Sequence, residues 1–327
     1  MGSGWRALRR RILTPDVSET LLDVRGFHKK SPAAQEMLET VGRTFLAGYG
    51  HAVQAATTAE AEEQLETVPT RFRGFAYEGA AMGLAVLDGL PFGGRRRVEE
   101  LLAGRGDRHR YMVYVGVGWA MARLPKFCWP RADSFDPLLR WLILDGYGFH
   151  QAYFRTRSYV DGHFRDPDFE WGGDRVASYA NRAIDQGIGR ALWFVAGTDP
   201  AEVVRLIKGF PEPRRADLVA GTGLASCYAG GADADELRAL REGLGDYLPA
   251  LVQGCAFAAE ARVRAGLVVE HNEIATEVIC GMTPQEAAEI TQRTRPERPV
   301  DELGVPAYET WRRDIGNEVL SVGGVNA

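Results

Sequence analysis

The sequence predicts an all-α protein of helical-repeat (α/α) architecture, with two related halves whose small-residue helices form an inner layer. Three observations carry this expectation. A Gly-x-Gly/Ala motif recurs seven times, as Gly48-Tyr-Gly50-His-Ala52, Gly79-Ala-Ala81-Met-Gly83, Gly116-Val-Gly118-Trp-Ala120, Gly146-Tyr-Gly148-Phe-His150, Gly187-Ile-Gly189-Arg-Ala191, Gly221-Thr-Gly223-Leu-Ala225 and Gly254-Cys-Ala256-Phe-Ala258. Successive copies start 30 to 41 residues apart, the period of an array built from one supersecondary unit. The flanks are apolar and of helix length, as in the run from Tyr111 to Leu124 that stops at Pro125.

The spacing has a physical sense on a helix. Positions 0 and +4 share a face and +2 points nearly opposite, so such a helix is small on two sides and accepts a close neighbour on each. Glycine costs about 1 kcal/mol against alanine inside a helix, and two per helix imply a compensating gain from backbone approach. The competing reading of Gly-x-Gly, a strand with a bulge, stays open at this level. A dinucleotide fingerprint does not fit: it occurs once and needs a third glycine, where this chain has Met121, Leu192 and Ser226.

Along the chain, residues 1–30 read as an N-terminal arm. Arg6, Arg9, Arg10 and Arg11 cluster there with no apolar core of a secretory signal. The arm is a solvated segment, one that packs on its own body, or a short basic helix on a membrane surface. Residues 31–155 form the first half, 156–180 a connecting loop region, and 181–292 the second half, all in one continuous body. The motif offsets, 37 and 30 residues in the first half against 34 and 33 in the second, suggest three related units in each. Asp199-Pro200 and Thr283-Pro284, each with a carboxylate at the third helical position, mark helix starts, and Asp136-Pro137 opens the helix running into Asp145. The strings at Gly26, Gly74 and Gly209 read as helix ends or turns. Residues 293–327, rich in Pro and charge at their start, are expected to lie along the surface as a tail.

Bulk properties narrow the function classes. The 327 residues are 45% hydrophobic and 25% charged with a net charge of −5, ordinary for a globular protein. No basic face suggests nucleic acid as a partner, and no apolar run reaches a transmembrane length. Cys128, Cys227, Cys255 and Cys280 show no C-x-x-C spacing, which fits a reduced, cytoplasmic protein. No cofactor motif, and no catalytic signature of a hydrolase, kinase or metalloprotease, is present.

The residues that carry chemistry are departures from the repeat. The position before the motif glycine holds Glu78, Asp145, Gln186 and Gln253 in four copies. A polar group in an apolar helix is costly unless paired or wet. Either each caps a neighbour or pairs with an arginine such as Arg190, or the four converge on a cavity. In that second case the helical face adds Met82, Phe149, Arg190 and Phe257 as its walls. Glu78 and Asp145 would then form an acid/base pair. His150, large where other copies are small, is either a satisfied core histidine or a proton shuttle beside Asp145. The acidic loop with Asp161, His163, Asp166, Asp168 and Glu170 matches no metal cage, and Cys128 has no visible base; no metal or cofactor is assigned.

The strings Arg73-Gly-Phe-Ala-Tyr-Glu-Gly-Ala-Ala-Met82, Gly116-Val-Gly-Trp-Ala120, Asp145-Gly-Tyr-Gly-Phe-His150 and Gln186-Gly-Ile-Gly-Arg-Ala-Leu-Trp193 resemble the UnbL-type proteins of enediyne biosynthesis, the domain of unknown function 1702 family. The similarity runs from about Arg25 to about Gly281. It implies a role in actinobacterial enediyne biosynthesis, alongside the polyketide synthase, its thioesterase and UnbV-type and UnbU-type proteins. It carries over no catalytic residue. The joint expectation is that the protein binds, and acts on, a linear polyene or polyyne polyketide intermediate in an apolar cavity, with Glu78, Asp145 and His150 moving protons. The alternative is a non-catalytic chaperone or scaffold that presents the intermediate to partner proteins, with homo-oligomerisation open.

Overall fold

The computed structural model describes residues 3–90, 96–172, 177–301 and 304–324. Among them about three-quarters are helical and none forms a strand, so each Gly-x-Gly stretch lies in a helix and the bulged-strand reading falls. In chain order the α-helices are α1 (Ser3–Leu13), α2 (Leu22–Arg25), α3 (Pro32–Gln54), α4 (Thr58–Leu65), α5 (Thr70–Gly89), α6 (Arg97–Ala103), α7 (Arg110–Met121) and α8 (Trp141–Phe154). They continue with α9 (Ala177–Val195), α10 (Pro200–Gly209), α11 (Glu212–Ala229), α12 (Ala234–Gly243), α13 (Leu248–Ala265), α14 (Glu270–Cys280), α15 (Pro284–Arg293) and α16 (Ala307–Val322).

The seven motif helices, α3, α5, α7, α8, α9, α11 and α13, form a row in which each packs on the next. The glycines explain the order. A Cβ on the first motif glycine would meet a backbone carbonyl of the preceding helix: Gly116 at 2.2 Å from Glu78 O, Gly146 at 2.0 Å from Val115 O, Gly187 at 1.8 Å from Asp145 O and Gly221 at 1.9 Å from Gln186 O. A Cβ on the second would meet the following helix: Gly118 at 1.8 Å from Ile143 O, Gly148 at 2.1 Å from Ile184 O and Gly189 at 1.9 Å from Leu218 O. From α5 to α11 position 0 thus looks back and position +2 forward, while in α3 the sense is reversed: a Cβ on Gly48 would meet Ala76 O of α5 at 2.0 Å and one on Gly50 the Arg10 side chain of α1 at 2.9 Å. Close backbone approach, with its dispersion and Cα–H···O contacts, offsets the poor helix propensity of glycine.

The row curls until α13 reaches back to α5 and α7. Arg262 of α13 donates to Arg71 O at the start of α5 (3.0 Å) and to Tyr228 O of α11 (2.5 Å). Tyr111 of α7 donates to Glu260 of α13 at 3.4 Å. Outside the row, α10, α12 and α14 pack in succession, with polar residues such as Arg205, Arg238 and Glu277 on their outer faces.

The arm packs on its own body. Arg9 donates to Val53 O (2.5 Å) and Ala55 O (3.0 Å), and Arg10 to Gln54 (2.7 Å), so two cations of α1 serve the carbonyl end of α3. Several boundaries shift. The C-terminal stretch is no surface tail: α16 buries Tyr308, Trp311, Ile315 and Val319 against the body, a helical stripe that the charged, Pro-rich stretch before it conceals. A Cβ on its Gly316 would stand 2.6 Å from Pro249 O of α13, which continues the row. Asp136 caps the turn at Leu138 and Leu139, and α8 begins only at Trp141. Gly26 and Gly209 end helices. Gly74 lies inside α5, where the Tyr228 hydroxyl would be 1.9 Å from a Cβ.

Candidate functional site

The inner helices position one mainly apolar cleft. Glu78 and Met82 reach it from α5, one turn apart; Trp119 comes from α7, Phe149 from α8 and Arg190 from α9. Phe45 of α3 and the segment from Pro15 to Thr20, just after α1, complete the wall, with Arg123 among the lining residues. It holds about 660 Å³ of non-atom space, open solvent at the mouth included, but only about 60 Å³ admits the centre of a water molecule. The walls therefore stand close together, as aromatic rings do here: Trp119 lies 4.4 Å from Phe45 and 5.1 Å from Phe149, between ring centroids.

Glu78 and Arg190 are the deeply buried charged groups of this wall, and Asp145, outside the lining, pairs with Arg190. Arg190 is 5% exposed, Glu78 3% and Asp145 2%. Arg190 Nη1 donates to Asp145 Oδ1 in a short ion pair, while its Nη2 lies 3.7 Å from Glu78 Oε1, beyond hydrogen-bond reach. The guanidinium also lies over the Phe149 ring, 5.1 Å from its centroid. The single cation belongs to Asp145, and Glu78 is the carboxyl left over. Burial, opposed by Arg190 and reinforced by the Asp145 charge, pushes Glu78 up to about 7. Burial also raises Asp145, again against the pull of Arg190. Burial works against the Arg190 charge, yet Asp145 and Glu78 outweigh it and hold that cation above its ordinary range. The Trp119 indole N–H favours the Glu78 anion, at a geometry too loose to count as a hydrogen bond.

The other expected residues separate from this cleft. His150 follows Asp145 by five residues, about 140° around a helix, and packs between Trp119 (5.5 Å) and Phe154 (4.6 Å). Burial, then Arg123 and Arg155, pushes it down to about 3. Its Nδ1 has no partner and no hydrogen bond joins it to Asp145, so the expected shuttle pair is not assembled. Gln186, Gln253 and Phe257 belong to a second buried cluster, around Arg312 of α16. Gln253 accepts from Arg312 Nε at 3.0 Å, and Gln186 accepts from the Tyr308 hydroxyl at 3.2 Å. Phe257 packs on Trp311 with centroids 5.0 Å apart. Arg312 also donates to Asp217 (2.9 Å) and Glu309 (3.0 Å), and Arg182 bonds both carboxylates, at 2.8 and 3.0 Å.

The four polar positions therefore serve two clusters, and convergence on one cavity does not occur. Sequence reasoning missed Trp119, Phe45 and, in the second cluster, Arg312, Tyr308, Asp217 and Glu309; the i, i+3, i+7 spacing of Tyr308, Trp311 and Ile315 was the available signal. Among the described residues no group of three or more His, Cys, Asp or Glu side chains is placed to hold a metal, all four cysteines are free thiols, and no helix is long and apolar enough to cross a membrane.

A family model described as "Protein of unknown function (DUF1702)" matches residues 4–319. No curated protein and no solved structure matches the chain.

Proposed function

The chain belongs to the DUF1702 family, and from that premise we propose that it binds an elongated apolar ligand in the aromatic cleft and exchanges a proton with it through Glu78. The ligand class follows from the resemblance to UnbL-type proteins: a linear polyene or polyyne polyketide intermediate of enediyne biosynthesis. One observation carries the reading. Glu78 is a buried carboxyl on the wall of an apolar cleft, pushed up to about 7 by burial, while the neighbouring Arg190 is hydrogen-bonded to Asp145 instead.

A carboxyl in that state is divided between acid and base near neutrality, which suits general acid/base work. The protonated form gives its proton to one atom of a conjugated chain. The carboxylate left behind, 3.7 Å from Arg190, takes a proton from another atom of the same chain. Double bonds move, no electrons are gained or lost, and the acid is restored. Asp145 orients Arg190 through their ion pair. Trp119, Phe149 and Phe45 give a flat π-system faces to stack on and exclude water. His150 is neutral and has no proton to give in this scheme.

The test is co-expression with the polyketide synthase and thioesterase of the pathway, followed by native mass spectrometry and absorbance spectroscopy of the purified protein. The expected result is a stoichiometric chromophore, with Glu78→Gln retaining the ligand and changing the spectrum of what is released. Protein that stays colourless and ligand-free overturns the cleft reading. A Glu78→Gln variant that delivers the same product supports instead a carrier or scaffold that presents the intermediate to UnbV-type or synthase partners.

A further inference from the structure

Of the ten large hydrophobic side chains that are exposed among the described residues, five (Trp5, Leu8, Ile12, Val17 and Val24) fall in the first 24 residues. Three of them, Trp5, Leu8 and Ile12, are 53%, 45% and 67% exposed. They lie within about 60° of one another around α1, so they form one outward stripe on an 11-residue helix. The same helix carries Arg6, Arg9, Arg10 and Arg11 and no acidic residue. Arg9 and Arg10 are turned inward to α3, and Arg6 pairs with Glu60. Arg11 is exposed and makes no ion pair among the described residues.

An outward stripe headed by tryptophan, on a helix that is basic and free of acid, has the composition of an interfacial helix. We propose that α1 docks this protein on an anionic membrane surface, with Trp5, Leu8 and Ile12 entering the headgroup–acyl boundary and Arg11 meeting lipid phosphate. Charge decides between this and a second copy of the chain. A two-fold contact through α1 sets the same surface against itself, and α1 offers no carboxylate to meet the copy's exposed Arg11. The docked helix leads directly into Pro15, Glu19 and Thr20, which line the cleft, so docking brings that wall of the cleft close to the phase in which an apolar ligand concentrates. That last point rests on the ligand reading above; the docking does not.

The experiment is co-sedimentation of the full chain with vesicles of phosphatidylcholine alone and of phosphatidylcholine with phosphatidylglycerol. Binding is expected to the anionic vesicles and to fall with added salt. Trp5→Ser/Ile12→Ser, on exposed positions that leave the core intact, is expected to weaken it by about tenfold or more, since each side chain loses its apolar transfer. Arg11→Glu weakens it less. No binding to either vesicle, or binding unchanged in the double variant, overturns the proposal. So does a concentration-dependent dimer, seen by light scattering, that the double variant abolishes: α1 then serves a second copy. Because no pathway ligand is present, these outcomes leave the cleft reading untouched.

Discussion

The two buried ion clusters differ in one count. Around Arg312, three guanidiniums meet two carboxylates: Arg312 and Arg182 both bond Asp217 and Glu309, the more exposed Arg313 also donates to Glu309 at 2.8 Å, and Tyr179 joins through its hydroxyl. Burial there is outweighed by the cations, and Glu309 is held below its ordinary range. Around Arg190, one guanidinium meets two carboxylates, and both carboxyls are raised. The first arrangement has cations to spare, rigidifies the joint between α16 and the row, and lines a recess of its own with Ala216, Pro249 and Ala250. The second has more carboxyls than cations, and it opens on an aromatic cleft. A buried ion pair is weak evidence for function, but one short of cations on a cavity wall is a reason to look for chemistry.

Removing the cations tests the contrast most strongly. Arg312→Met leaves two buried carboxylates short of a partner and is expected to cost about 3–5 kcal/mol in chemical denaturation at pH 7. Arg190→Met is expected to cost less, with the difference widening toward pH 5 as its raised carboxyls take protons. Equal losses at pH 5 would erase the distinction. Next comes Glu78→Gln. A carboxyl whose folded pKa lies above its ordinary value is favourable when protonated, so its contribution is full below about 4.5 and is lost as pH rises through about 7. The amide escapes that loss, and the variant gains stability between pH 5 and pH 8 to a limit of about 3 kcal/mol. Glu309→Gln should do the reverse and destabilise at pH 7. Melting curves of both variants across this range check the pair.

Gly187→Ala drives a methyl to 1.8 Å from Asp145 O. We expect about 1–3 kcal/mol of destabilisation and a displaced Arg190–Asp145 pair, whereas Gly245→Ala, with nothing within 4 Å, should be neutral by the same assay. The smallest effect belongs to His150. A histidine whose folded pKa is depressed contributes stability above 6.5 that is lost as pH falls toward about 3. His150→Leu should therefore recover about 1 kcal/mol at pH 5.5 relative to pH 8. A variant that loses stability equally at both values would show that the ring serves packing alone.

The inner layer was legible because glycine at positions 0 and +2 has one physical use on an apolar helix, and Gly146 and Gly148 show it by touching the two neighbours on either side. The pairing of a −1 carboxylate with Arg190 was also legible as one of two readings. The division of Glu78 and Asp145 from Gln186 and Gln253 was not. Each helix turns relative to the last as the row curls, so one motif position faces the cleft on α5 and the α16 cluster on α13, and no local pattern records that rotation. The Arg312 cluster was hidden for a different reason: its helix follows a stretch of Pro and charge that reads as tail, and its partners Tyr179 and Asp217 lie roughly a hundred residues away or more.

Backbone locked against backbone also decides where the molecule can yield. Helices separated by side chains can slide as rotamers change, but α5, α7, α8 and α9 meet at glycines, where no side chain is present to rearrange. The row is a stiff frame. The cleft is bounded by that frame and, outside it, by the segment from Pro15 to Thr20 between α1 and α2. Any widening of the cleft therefore falls to that segment, whose contact with the frame runs through a side chain, Thr20 against Gly42 of α3.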